Sequence, residues 1–297
     1  MIHLLKSFAL PDFPSGSSIN YHDEKFYLIG DDANTILILD REYHQIDSWT
    51  LFSFAEKRIP KPAKVDLEAS TIITVDGYDH LLIAGSGATP QREQLILIPL
   101  SGLENTCKPL IIHNHIFVQR LQAMGIDTIN IEGITSVGKN LILSNRSNRK
   151  NNSNHLIITA IDFWKHQAEA ELKIMPIHIP VINNDAPGVS EICYVASEDL
   201  LLLTFSSELT DNAYDDGAIG NSYLGCIYHI TRKIQQPTLA IDSIFNLTDI
   251  HSDFKNEKIE GVCVESIFGN TLILHLVSDN DLGESKLFKL SLTLPLN

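Results

Sequence analysis

The sequence predicts an all-β chain folded as a five-bladed β-propeller, with four-stranded blades and an N-terminal strand that closes the last one. Three observations predict it. Short apolar runs separated by turn residues fill the chain, and helical periodicity is nearly absent. Five of the runs open with the same kind of tripeptide, an apolar or small residue followed by Ser or Glu and then usually a small residue. The last such unit stops one strand short, and the first residues form a strand with no unit of their own.

The repeat can be followed in order. Its openers are Ser17-Ser18-Ile19, Leu67-Glu68-Ala69, Ile131-Glu132-Gly133, Val189-Ser190-Glu191 and Ile259-Glu260-Gly261. The segments VSEICYV and IEGVCVE align when Cys193 is set against Cys263, and this register places Ser190, not Glu191, opposite Glu260. The key positions are then 18, 68, 132, 190 and 260, which are 50, 64, 58 and 70 residues apart. After each opener comes a second apolar strand ending in a polar loop: Gly30-Asp31-Asp32, Gly85-Ser86-Gly87, Ser144-Asn145-Arg146, Ser206-Ser207-Glu208 and Ser278-Asp279-Asn280-Asp281. Third and fourth strands follow, so each unit counts as a blade with irregular outer loops. In the last unit IEGVCVES, TLILHLVSD and SKLFKLSL supply three strands, and HLLKSFAL at the N-terminus would supply the fourth. Closing the ring this way removes two exposed sheet edges. A pair of β-sandwiches would not explain five openers of one type. A single domain over 1–297 follows. Phe163–Lys173 is the one short helical candidate, and His113 and His115 in IIHNHIF read as one face of an outer strand.

Bulk properties narrow the function. With 22 Lys+Arg against 37 Asp+Glu the formal charge is −15. This disfavours sequence-independent nucleic-acid binding, which depends on basic side chains neutralising phosphates. It suits cation binding, as it also suits a plain acidic surface. No window approaches a membrane span of about 20 apolar residues, and the start lacks the apolar segment of a signal peptide. Cys107, Cys193, Cys226 and Cys263 have no zinc spacing and read as reduced thiols. A soluble, cytoplasmic monomer is expected.

The openers carry the chemistry. The first strand of a propeller blade lines the central channel, so Ser18, Glu68, Glu132, Ser190 and Glu260 should meet on one rim. Three carboxylates converging on one axis must take up protons or a cation. Calcium accepts six to eight oxygen ligands at about 2.3–2.6 Å in flexible geometry, whereas magnesium demands a tighter octahedron. A transition metal would recruit His or Cys, and no opener contains either. Calcium on this ring is the expectation, with capping of channel-lining amides as the plainer alternative.

At these residues the chain resembles the calcium-activated nucleotidase (apyrase) family, whose five-bladed propeller holds axial calcium on Ser, Glu, Glu, Ser and Glu in that order. SINYHDEKFYLIGDD resembles that family's first blade, GVSEICYVASEDLLLLTFSSE its fourth and KIEGVCVE its fifth. The IEG and SDND of the last blade are also similar to bacterial phytase-like propellers. The resemblance implies a calcium-dependent phosphohydrolase acting on nucleotides or other phosphoesters. One departure counts against that. The family follows its Asp-Asp pair with an arginine, whereas Asp31-Asp32 is followed here by Ala33-Asn34-Thr35.

For such chemistry, Asp31, Asp32, Asp279 and Asp281 at the mouth are the candidate catalytic acids and bases. Arg146 and Arg149 are candidate clamps for phosphate oxygens, with Arg92 or Lys64 as alternatives, and Glu208 is a candidate substrate contact. The Asp-rich stretch from Asp211 to Gly217 lacks EF-hand spacing. The competing reading is a non-catalytic propeller that binds a small anionic ligand or a protein, with calcium as a structural ion. Fold alone does not separate the two.

Overall fold

The computed structural model describes residues 1–100, 109–146, 153–182, 187–208, 219–280 and 283–295, with the side chain of Glu208 outside the description. It is a five-bladed β-propeller. Strand β1 (Ile2–Leu10) precedes the first blade, which is built from β2 (Gly16–His22), β3 (Lys25–Gly30), β4 (Thr35–Leu39) and β5 (Gln45–Thr50). The second blade is β6 (Leu67–Val75), β7 (Tyr78–Gly85), β8 (Gln94–Pro99) and β9 (Leu110–His113). The third is β10 (Ile131–Val137), β11 (Asn140–Asn145), β12 (Asn154–Ala160) and β13 (Leu172–His178). The fourth is β14 (Gly188–Val195), β15 (Leu200–Glu208) and β16 (Ile219–Tyr228). Its chain then lends β17 (Leu239–Ala240) to the outer edge of the third blade, in parallel with β13, before closing with β18 (Ser243–Asn246). The fifth is β19 (Lys258–Phe268), β20 (Thr271–Asp279) and β21 (Ser285–Thr293), completed by β1.

Closure by the N-terminal strand is as the sequence predicts. Strand β1 runs antiparallel to β21 from Ile2 opposite Leu292 to Leu10 opposite Ser285. Met1 and Thr293 exchange hydrogen bonds at the end of the ladder, at 3.0 and 2.7 Å.

The inner strands are apolar throughout because both faces of a blade are covered. Alternate side chains of one strand point to opposite neighbours. On β7, Leu81 and Ile83 pack with the first blade, whereas Leu82 and Ala84 pack with the third. Five such hydrophobic clusters fill the seams between blades, the last joining Val277 and Leu287 of the fifth blade to Phe26 and Leu28 of the first.

Two local expectations are corrected. Phe163–Lys165 is a single 3-10 turn and Leu172 begins a strand, so Phe163–Lys173 is not a helix. Phe163 and Trp164 are instead buried in the seam between the second and third blades. His113 ends β9, but His115 opens helix α1 (His115–Ala123), whose Phe117, Val118 and Leu121 bury at the same seam. Their spacing of one, three and four is helical, and the run is too short to stand out in the sequence.

Candidate functional site

Every channel-lining strand has a register shift at the same place, where the ladder passes over one residue. In β2, Gly16 faces Gly30 and Ser18 faces Ile29, so Ser17 is left over. The same register shift leaves out Glu68 in β6, Glu132 in β10, Ser190 in β14 and Glu260 in β19. Such a β-bulge turns a side chain out of the ladder, here toward the propeller axis. One carboxylate oxygen each of Glu68, Glu132 and Glu260 lie within 4.8 Å of one another.

The ring is therefore Ser17, Glu68, Glu132, Ser190 and Glu260, and Ser18 is one residue off. Ser17 Oγ donates to the carbonyl of Leu67 at 2.5 Å. Ser18 lies in the next layer, where its Oγ contacts Ser70 Oγ at 2.7 Å and Glu191 Oε2 at 2.6 Å. A signal for this existed in the sequence. Setting Ile19 against Ile134, Ile192 and Val262 puts Ser17, not Ser18, in line with Glu132, Ser190 and Glu260.

Hydrogen-bond donors, most of them basic, interleave with these acids. Asn130 Nδ2 holds Glu132 Oε1 at 2.6 Å, and Arg146 Nη1 holds Glu132 Oε2 at 3.2 Å. Lys258 Nζ is 3.3 Å from Glu260 Oε1. Lys64 Nζ bridges Asp31 Oδ2 and Asp66 Oδ1, the latter at 2.9 Å, while Arg92 Nη1 meets Asp66 Oδ2 at 2.6 Å. Burial lifts Asp31 to about 6, against the pull of Lys64. Burial, with the charges of Asp66, Asp31 and Glu132, lifts Glu68 well above the usual carboxylate range.

A cleft of about 310 Å³ opens beside the ring. Asp31, Asp32, Glu68, Glu260 and Asp279 line it, opposed by Arg58, Lys61, Lys64 and Lys258. Arg58 Nε is 2.6 Å from Asp32 Oδ2. A guanidinium thus reaches the Asp31-Asp32 pair after all, delivered from the loop that follows β5 instead of from the adjacent residue. Arg58, Lys61 and Lys258 were missed by sequence reasoning. Only the position of Lys258, two before Glu260, carried a hint.

The other candidates divide. Asp31, Asp32 and Asp279 reach the cleft, and Arg146 sits in the ring. Arg149, Asp281 and the 211–217 stretch lie outside the described residues. The oxygen donors match those a hard cation takes, carboxylates and hydroxyls without His or Cys. Cys193 and Cys226 are free thiols, pushed up to about 12 by burial.

Comparison with known proteins bears on the fold and the family. Residues 12–292 match the family of unknown function DUF6929. The chain belongs to that family. No curated protein matches the sequence. Among solved structures, this DUF6929 chain is similar to Myxococcus xanthus glutaminyl cyclase, at TM-score 0.53 and 10% identity over 99% of this chain and 97% of that one. It is also similar to a tail fiber of Staphylococcus aureus phage P68, at TM-score 0.50 and 12% identity over 99% of this chain, but it spans only 53% of the fiber chain. At these identities the likeness extends to the propeller fold. Among the described residues of this DUF6929 protein, no helix is long and apolar enough to cross a membrane.

Proposed function

We propose that the bulge ring binds a divalent cation, calcium, and that the cleft beside it receives a small anionic ligand. The observation that carries this reading is the convergence of Glu68, Glu132 and Glu260 within 4.8 Å. Carboxylates at that range repel unless a proton or a cation lies among them. Ser17 and Ser190 add two neutral oxygens at equivalent bulges. Calcium accommodates such a mixed, irregular oxygen set better than magnesium does. When bound, it would neutralise the ring and polarise an oxygen of a ligand in the cleft. Arg58, Lys61 and Lys258 on the cleft wall supply cationic groups that an anion could engage, and Arg58 offers the planar fork that suits phosphate or carboxylate oxygens.

Hydrolysis of a phosphoester is a second reading, favoured by Asp31. Its carboxyl is lifted to about 6, close to what a general base needs near neutrality. The similarity of the blade openers to the calcium-activated nucleotidases supports the same pair of readings.

The test begins with metal analysis of the purified protein and its thermal unfolding in calcium and in EDTA. A phosphate-release screen over nucleotides and phytate follows, with and without chelator. Bound calcium and a calcium-dependent rise in Tm are expected, and Glu132→Gln with Glu260→Gln should abolish that rise. No calcium and no change in Tm would sink the site. Calcium without phosphate release would leave the binding reading standing alone.

A further inference from the structure

Arg146 is a cation already seated in the ring. Its Nη1 lies 2.9 Å from Ser190 Oγ, 3.2 Å from Glu132 Oε2 and 3.7 Å from Glu260 Oε1. Its Nη2 donates to Ser206 Oγ at 2.9 Å and to the Ser206 carbonyl at 3.3 Å. Three of the five ring positions thus face one guanidinium.

The sequence makes room for it. A Cβ at Gly188 would lie 2.5 Å from Arg146 Cγ and 2.7 Å from Arg146 Nε. Gly188 is otherwise an ordinary strand residue paired with Ser206, so space for Arg146, not backbone freedom, asks for glycine there. Lys258 adds a second positive charge beside Glu260. Arg146 and Lys258 together answer the charges of Glu132 and Glu260, the two ring glutamates they meet. A divalent ion entering the ring would meet a guanidinium bound to two of its ligands and close to a third.

We infer that Arg146 competes with the divalent cation for Glu132, Ser190 and Glu260, and so sets the affinity of the ring. The inference rests on the cation reading above, because it concerns the same site. The ion enters as Nη1 withdraws, and the ring stays ordered without the ion because Arg146 stands in for it.

Calcium titration calorimetry and thermal unfolding of the wild type, Arg146→Met and Gly188→Ala test this. Removing a competing unit charge at this range should tighten calcium binding roughly tenfold or more. In EDTA, Arg146→Met should melt below the wild type, because Glu132 and Glu260 lose their counter-charge, and calcium should close that gap. Gly188→Ala keeps the charge but displaces it, and should shift calcium affinity the same way. It also carries the comparison if Arg146→Met fails to fold. Equal or weaker binding by the variants, with calcium binding intact in the wild type, overturns the competition alone. Binding by a variant but not by the wild type overturns the wild-type cation site while sustaining the competition. No binding by any of the three overturns both.

Discussion

Ser18 Oγ donates a 2.6 Å hydrogen bond to Glu191 Oε2, joining the first blade to the fourth across the channel. The positions that follow each bulge are Ser18, Ala69, Gly133, Glu191 and Gly261. Four small residues leave space for one carboxyl group, and Glu191 fills it. The backbone amides of Ile134 and Ile192 donate to Oε1 at 3.2 and 2.9 Å.

Burial outweighs those hydrogen bonds and raises the Glu191 pKa well above the usual range. The folded protein therefore holds a proton there that the unfolded chain releases above about pH 4.3. A raised carboxyl pKa contributes stability at low pH and loses it as pH rises. Glu191→Gln keeps the shape and removes the titration. Its Tm is expected to gain on the wild type as pH rises above about 4.3, by roughly 2 °C or more. Parallel Tm curves for the two proteins across that range would refute the assignment.

The blade order was legible because burial on both faces leaves continuous apolar runs, such as Leu81 to Ala84, that no amphipathic surface element would show. Four ring positions were legible too, because Glu68, Glu132 and Glu260 are charged residues in apolar strands and Ser190 aligns with Glu260. The first blade was not, because two adjacent serines satisfy the same pattern and a one-residue slip in a strand reverses the face. Arg58 was illegible for a different reason. It stands 26 residues beyond Asp32 in a loop, and its approach is set by the Ala33–Arg58 bridge instead of by any period. Glu191 was read as the unchosen neighbour of Ser190, yet it enters the channel as well. Consecutive strand residues point apart only where the ladder is regular, and the bulge breaks that rule.

The seam between the fifth and first blades should be acid-sensitive. His275 is fully buried, with Nδ1 2.6 Å from Tyr43 Oη and Nε2 2.8 Å from Glu265 Oε2. Arg41 and Lys289 also pair with Glu265, at 2.5 and 2.8 Å. Burial lowers the His275 pKa to about 4. The side chain is neutral in the folded protein, while the unfolded chain takes up a proton below about pH 6.5. Stability from this site is therefore present above pH 6.5 and lost as pH falls toward 4. His275→Gln should flatten that part of the stability curve. Tyr43→Phe should cost about 1–2 kcal/mol by urea unfolding at pH 7, since it strands a buried ring nitrogen. An unchanged midpoint would show that the Tyr43 contact contributes nothing.

Two glycines separate crowding from backbone strain. A Cβ at Gly133 would lie 2.7 Å from the amide nitrogen of Ile192 and 2.8 Å from Glu191 Oε1. Backbone cannot yield there, so Gly133→Ala should cost more than about 2 kcal/mol and loosen the channel. Gly138 has φ +62° and nothing within 4 Å of its Cβ position. Gly138→Ala should cost only about 1 kcal/mol, from the left-handed backbone. Chemical denaturation of both variants checks the order. Equal costs would mean that the channel at Gly133 relaxes freely.

Removing residues 1–10 should promote association more than unfolding. Much of β1 is exposed, with only Leu10 buried, while Ile2, Leu4 and Phe8 pack partly against the core. What β1 chiefly supplies is the ladder along β21. Without it, β21 becomes an open edge that carries Leu287, Phe288, Leu290 and Leu292, and such an edge templates pairing with another chain. The truncated protein should keep a β-type circular dichroism spectrum, melt several degrees lower and elute as larger species in a concentration-dependent way. A synthetic peptide of residues 1–10 should restore the elution position of the full-length protein by adding the missing strand. A truncated protein that elutes like the full-length protein at every concentration would show that the fifth blade protects its own edge without β1.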